Sequence, residues 1–290
     1  MQKIKSIIEL IWNELVYGGH LLSLSAVCVV FTSAILLEIE ITIDFLIVAY
    51  SSTHAAYLYN RYKEFKKDYL TNPERTQYFE KRIKKMPLII FCFIFIFIVT
   101  LLYFGNFYAL IFGLMIFTTG IFYTLFFKKI TREIIGFKNF YIAFSWSLLV
   151  IFLSIYYSSS LSLSINLSVF FIFIFIFIKC FLGTSFYDIK DIESDKKEGL
   201  LTLAIVFGEK RLIKFLNLIN ILALAPIILG VYLQVLPVFS LILCFSIPIT
   251  FYLFRKIEHT KIDIAYLSEI LISAEKISWF LLILFGSFLL

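Results

Sequence analysis

Long apolar runs separated by short charged stretches dominate the chain. A bilayer core of about 30 Å needs about 20 apolar residues per helix. Runs of that kind fall at 20–37, 42–59, 87–104, 107–127, 139–157, 165–187, 212–233, 236–254 and 270–290. The pattern predicts about nine transmembrane helices, hence an all-α polytopic membrane protein. The stretch 171–178 alternates Phe and Ile. Both alternating positions are apolar, so no half-buried strand is indicated, and the length of the run favours a helix facing lipid. Residues 1–16 are amphipathic, carry Glu9 and Glu14, and lack a small-residue cleavage site. They read as an interfacial helix, not a signal peptide. The pair Gly18-Gly19 reads as a turn into the first span.

Composition agrees with this pattern. Of 290 residues, 61% are hydrophobic and only 16% charged. A soluble domain carries about 25% charged residues, so a soluble globular protein is excluded, as is a disordered chain. The four cysteines all sit in apolar runs without metal-ligand spacing, which excludes a disulfide scaffold. No stretch forms a soluble domain, and the chain reads as one membrane domain over 1–290. The net charge of +6 does not indicate nucleic acid, because its distribution follows the membrane. Of the 26 Lys and Arg, all except Lys179 and Lys276 fall at the N-terminus or in alternate connections. The opposite connections, including 158–164, have none. This predicts a multi-pass cell-membrane protein with a cytoplasmic N-terminus and an external C-terminus. Lys179 and Lys276 lie within spans and face the bundle interior on this reading, as does Glu275.

Two acidic segments stand out, in the predicted cytoplasmic loops 60–86 and 188–211. Asn60, Glu64 and Asp68 follow one another at steps of four, and Asp188, Asp191 and Asp195 at steps of three and four. Either spacing places the side chains on one helical face. Each segment alone also reads as a solvated helix face with pairs such as Glu193–Lys197. Two facing carboxylate stripes repel each other unless cations lie between them. Hard oxygen donors at this density suit Mg²⁺ held jointly with substrate phosphates.

These residues carry a family resemblance. Asn60-Arg61-Tyr62-Lys63-Glu64 through Asp68, followed by Asn72 and Arg75, resembles the N-D-x-x-D-x-x-x-D…N-x-x-R motif of the UbiA superfamily of intramembrane prenyltransferases. Asp188, Asp191, Asp195, Gly199, Thr202 and Leu203 match that family's D-x-x-D-x-x-x-D-x-x-x-G-x-x-T-L motif position by position. The first motif departs from the pattern: Arg61 and Glu64 stand where the family has Asp. The resemblance implies a nine-helix bundle, a Mg²⁺-diphosphate site at the cytoplasmic helix ends and a groove open to lipid. It implies Mg²⁺-dependent transfer of a prenyl group from an allylic polyprenyl diphosphate to a lipophilic acceptor, such as a quinone precursor or a polar lipid.

On that resemblance, Asn60, Glu64, Asp68, Asp191 and Asp195 are the expected metal ligands. Arg75, Lys128 and Lys190 are expected to contact diphosphate, with Lys129 the alternative to Lys128. Asp188 is expected either to position or deprotonate the acceptor or to be a third ligand. Tyr123, Trp146, Phe186, Tyr187 and His54 are the expected pocket residues, the rings stabilising a carbocation. For His54 an interhelical hydrogen bond is the competing reading. The expected partners are polyprenyl diphosphate, acceptor and membrane lipid, with no nucleic acid and no obligate protein partner. The alternatives are a cation-coupled transporter and a catalytically degenerate family member that binds isoprenoid lipid.

Overall fold

The computed structural model describes residues 2–158, 165–259 and 264–289, and all regular structure within them is helical. Helix α1 spans Gln2–Val16, α2 His20–Leu36, α3 Ile43–Thr71, α4 Pro73–Glu80, α5 Met86–Phe104 and α6 Phe107–Leu125. A tight 3-10 turn, Phe127–Arg132, leads to α7, Phe137–Tyr157, and then to α8, Leu167–Tyr187. A second 3-10 turn, Asp188–Asp191, precedes the short helices α9, Ile192–Lys197, and α10, Leu203–Phe207. The chain continues through α11, Glu209–Leu222, and α12, Ala225–Tyr232, to a 3-10 segment, Val238–Phe245. It ends with α13, Ser246–His259, and α14, Ile264–Leu289.

The all-helical architecture is the expected one, but nine spans proves an approximate figure. Among the described residues six helices are long and apolar enough to cross a membrane. The pair Ile7–Val16 and His20–Leu36, bent by 60°, makes a possible seventh span, and Phe107–Tyr123 is a shorter apolar helix. Helix α3 falls outside that set because Ser51, Ser52, Thr53 and His54 interrupt its apolar half. The segment 60–86, read as a loop, is largely helical: α3 runs on through Thr71 and α4 follows at once. The alternating Phe-Ile run lies inside α8. Of the serine-rich connection, residues 159–164 lie outside the described residues.

Local sequence explains the helix junctions. Gly19 has a φ of 83°, and a Cβ there would sit 2.1 Å from the Tyr57 ring, so only glycine allows the sharp α1–α2 turn against α3. The Asn106 side chain caps α6 by accepting from the Ala109 N–H at 2.8 Å and donates to the Ile155 carbonyl at 2.8 Å. One residue thus satisfies an orphan donor of α6 and pins that end to α7.

Apolar side chains go two ways. Val29, Val150, Ile172, Phe175, Ile176 and Trp279 form one buried core among α2, α7, α8 and α14. Phe45, Val48, Phe97, Leu101, Phe152 and Leu153 form another among α2, α3, α5 and α7. Leu88, Phe91, Phe95, Leu102 and Phe104 of α5 are exposed instead. Such a face is costly in water and neutral in lipid.

Charge also enters the core. The Lys179 ammonium of α8 lies 2.7 Å from a Glu275 carboxylate oxygen of α14. It donates to Asn220 Oδ1 of α11 at 3.0 Å and Thr250 Oγ1 of α13 at 2.7 Å. Thr250 in turn donates to Glu275 at 2.6 Å. Four helices therefore meet at one satisfied ion pair. Removing one partner of such a pair strands a buried charge. Glu275→Ala should cost about 3 kcal/mol or more of stability, read as a fall in Tm of the detergent-purified protein. Adding Lys179→Met to that variant should recover most of the loss.

Candidate functional site

Both acidic segments border one cavity of about 260 Å³. From α3 it receives Asn60, Arg61 and Glu64; from the end of α8 and the turns beyond come Tyr187, Asp188, Lys190, Asp191 and Asp195. Two backbone hydrogen bonds bring the second segment there. Leu201 N–H donates to the Thr131 carbonyl at 2.8 Å, and Gly136 N–H to the Leu201 carbonyl at 2.9 Å. Gly136 has a φ of 69° and lies 3.1 Å, at its would-be Cβ, from Leu203, so glycine alone suits this seam. The seam sets the first turn of α7 beside the acidic turns.

That first turn supplies the charges the carboxylates need. Lys138 Nζ lies 2.6 Å from Asp188 Oδ1 and 3.4 Å from Asp195 Oδ2. Asn139 donates to the other Asp188 oxygen at 2.8 Å. Asp188 and Asp195 are almost fully buried, and buried carboxylates persist as anions only when paired and hydrogen-bonded. Neighbouring carboxylates therefore coexist here through lysine, and not solely through shared divalent ions. Both Asp188 oxygens are taken, which bears directly on its expected part in handling the acceptor.

Lys128 makes the corresponding link on the other side. Its Nζ lies 3.2 Å from Glu64 and 2.8 Å from Glu198, tying α3 to the end of the second segment. Burial opposes the Lys128 charge, but the Glu198 hydrogen bond and the Glu64 and Glu198 carboxylates outweigh it and hold its pKa above the ordinary 10.5. The bridge is therefore complete at neutral pH, and its stabilisation is lost only as pH rises past the raised value.

Lys190 donates to Asn72 Oδ1 at 3.0 Å and lies 4.0 Å above the Tyr187 ring. Arg75, 2% exposed, donates to the Tyr187 hydroxyl at 3.3 Å and so props that ring from behind. It does not border the cavity. The Asp68 side chain lies outside the described residues.

Tyr123 and Trp146 border the cavity with Tyr187. Phe186 and His54 do not, which corrects their expected place in the pocket. Phe186 points away from the cavity and stacks on Phe254 at 4.2 Å, because it diverges from its neighbour Tyr187 by about 100° around the helix. His54 shares a hydrogen bond with Ser23 at 2.9 Å and stacks on His20 at 4.4 Å. It joins α3 to α2, the interhelical alternative.

A second cavity, also about 260 Å³, adjoins the first between α3, α6 and α7. Tyr57, Asn60, Arg61, Tyr123, Ile142 and Trp146 border both. Ala56, Ile116, Phe117, Gly120 and Leu149 make the rest predominantly apolar. A charged chamber therefore lies beside an apolar one, with a wall in common.

The donor set fits a hard divalent cation. Asn60, Glu64, Asp191 and Asp195 all border one chamber. Asp191 Oδ1 is buried without a hydrogen bond and has only the Lys190 ammonium at ion-pair distance, 3.7 Å, so it keeps coordinating capacity for a hard cation. No group of three or more His, Cys, Asp or Glu converges as a ready-made metal site among the described residues, so substrate oxygens would complete the shell.

The fold and site define the class as a helical membrane bundle with an acidic and basic cavity beside an apolar one. The chain belongs to the UbiA prenyltransferase family, whose model matches residues 21–286. Among solved structures it is similar to the apo UbiA homologue from Aeropyrum pernix K1, with a TM-score of 0.68 at 15% identity. That match covers 92% of this chain and 97% of the other. It is also similar to a digeranylgeranylglyceryl phosphate synthase, with a TM-score of 0.59 at 19% identity over 100% of both chains. At these identities the likeness concerns the fold. No curated protein matches significantly.

Lys138, Asn139 and Glu198 were missed as site residues in the sequence. Lys138 stands out there only as one of many positive charges outside the spans, and Asn139 only as the first residue of a span. Asp188→Asn should release Lys138, raising its acetylation by acetic anhydride in intact protein. Lys190, held by Asn72, should be unchanged, as read by peptide mass spectrometry.

Proposed function

We propose that the protein transfers a prenyl group from an allylic polyprenyl diphosphate to a lipophilic acceptor within the membrane. The observation that carries this reading is a charged chamber set directly beside an apolar one, with Tyr123 and Trp146 lining both. A molecule with a diphosphate head and a hydrocarbon tail matches both.

Asp191 and Asp195 from one segment, with Asn60, Glu64 and Asp68 from the other, are the proposed Mg²⁺ ligands. When bound, Mg²⁺ supplies positive charge to the oxygens of the leaving diphosphate. Lys190 and Lys128 stand at the border of the same chamber and are the proposed direct contacts to the headgroup. Arg75 is assigned to positioning, because it supports Tyr187 from outside the cavity.

In the transfer the bond between the allylic carbon and the bridging oxygen breaks, and its electron pair leaves with diphosphate. The carbocation lies beside the faces of Tyr123, Tyr187 and Trp146, each worth about 0.5–2 kcal/mol to a desolvated cation. An acceptor nucleophile forms the new bond to that carbon. Its displaced proton passes to the departed diphosphate, since Lys138 and Asn139 already occupy both oxygens of Asp188. Asp188 is assigned to holding Lys138 and through it Asp195. The apolar walls keep water from the cation. The headgroup side is proposed to face the cytoplasm, following the charge asymmetry of the connections.

Asp191→Asn and Asp195→Asn, which keep the side-chain shape and a hydrogen-bonding oxygen, should each lower diphosphate release by about a hundredfold or more in protein that still folds. Full turnover in either variant would remove the metal assignment. Ser145 borders the apolar chamber. Ser145→Phe should shift donor preference toward shorter prenyl chains, measured by competing two allylic diphosphates of different length.

A further inference from the structure

A third cavity, of about 530 Å³, lies between α11 and α13 and shares no bordering residue with the charged and apolar chambers. Ile213 and Asn217 of α11 border it, with Pro248, Phe251, Tyr252 and Arg255 of α13. Phe254 also borders it and stacks on Phe186 of α8, so α8 stands between this cavity and the charged chamber. Leu218, Leu222 and Tyr252 are exposed, which places the cavity on the lipid-facing side of the bundle.

Two polar groups in it lack partners. Asn220 is bonded at both ends: it accepts from Lys179 at 3.0 Å and donates to the Ile247 carbonyl of α13 at 3.1 Å. Asn217, three residues earlier, has a buried Oδ1 without a hydrogen bond. No described residue fixes which end of that amide points inward, so it can offer a ligand either a donor or an acceptor. Arg255 is exposed and has no carboxylate at ion-pair distance among the described residues. The Asn220–Ile247 bond sets the register of the two helices, which places Arg255 about 7 Å nearer their ends than Asn217. One apolar span begins at Glu209 and another ends at Lys256, so these ends share one membrane boundary. Lys210, Arg211, Lys214, Arg255 and Lys256 gather there against Glu209 and Glu258.

A free guanidinium at the boundary, an amide deeper in and an apolar cavity match a diacyl phospholipid, in which phosphate, ester carbonyls and acyl chains follow in that order. A zwitterionic headgroup brings its own ammonium to the phosphate and competes with arginine, whereas an anionic headgroup does not. Basic pockets between spans recruit anionic headgroups for this reason. We propose that the cavity between α11 and α13 binds an anionic glycerophospholipid. Its phosphate lies on Arg255, an ester carbonyl accepts from the Asn217 amide, and an acyl chain runs over Phe251 and Pro248. The site is outside both chambers, so this inference does not rest on the prenyl-transfer reading. Asn220 and Thr250, beside it on the two helices, belong to the Lys179–Glu275 group. Bound lipid therefore braces that group.

Native mass spectrometry of the delipidated full-length protein in detergent provides the test. The probes are dioleoylphosphatidylglycerol, dioleoylphosphatidylcholine and inorganic phosphate. The first phosphatidylglycerol should bind about tenfold more tightly than the first phosphatidylcholine. Arg255→Gln should remove that preference, whereas Arg132→Gln, an equal loss of charge at an exposed position outside the cavity, should keep it. Phosphatidylglycerol with a diazirine in its acyl chain should label the peptide that holds Pro248 and Phe251. Equal binding of the two lipids by the unmodified protein overturns the proposal without any variant. So does a preference that survives Arg255→Gln or falls equally in Arg132→Gln, which would mark general surface charge. Displacement of phosphatidylglycerol by an equal concentration of inorganic phosphate would assign the site to a free anion instead, and labelling confined to other helices would place the lipid elsewhere.

Discussion

The Lys138 ammonium between Asp188 and Asp195 is the contact on which the site depends. Anionic side chains buried at the end of a helical bundle repel one another and lose their hydration. A lysine on the first turn of α7 answers both problems, aided by Asn139. The seam that brings it there is made of backbone groups, between Thr131, Gly136 and Leu201. The arrangement is thus set by main-chain geometry first and by charge second.

Lys128 repeats the principle across the cavity, where it joins Glu64 to Glu198. Fixed lysines leave Asp191 Oδ1 without a hydrogen bond, with only a long ion pair to Lys190 at 3.7 Å. The chamber is therefore neither a bare acidic cage nor a closed salt-bridge network. It is partly neutralised and has oxygens left over, a state suited to recruiting a metal together with an anionic ligand. An all-acidic chamber would repel the diphosphate, and a fully paired one would have no donor for the metal.

Deeper in the bundle the charges have a different task. Lys179, Glu275, Thr250 and Asn220 tie α8, α11, α13 and α14 together. Each polar group there has a partner, as hydrocarbon surroundings require. Lys276, next to this knot but turned to the chamber, falls outside it. So does Asn217, three residues before Asn220. The contrast between Asn220, bonded at both ends, and Asn217 separates structural polar residues from those available to a ligand.

The helical class, the membrane setting and the two acidic segments were legible in the linear pattern. They depend on run length, on periodicity and on residue types repeated at steps of three and four, all of which are local. The family motif likewise lies within contiguous stretches. The partners of those residues come from elsewhere in the chain: Lys138 reaches Asp188 across 50 positions, and Lys179 reaches Thr250 across 71. No local signal marks such pairs, because helix packing creates them. The same cause moved Phe186 and His54 out of the pocket, since a step of one or two residues along a helix separates a cavity face from a core face. It also left the span count approximate, because a long helix such as α3 can be polar over much of its length and still pack inside the bundle. Residue chemistry was thus readable from the chain, whereas the pairing of charges and the side toward which each ring points arose only from the packing of helices distant in sequence.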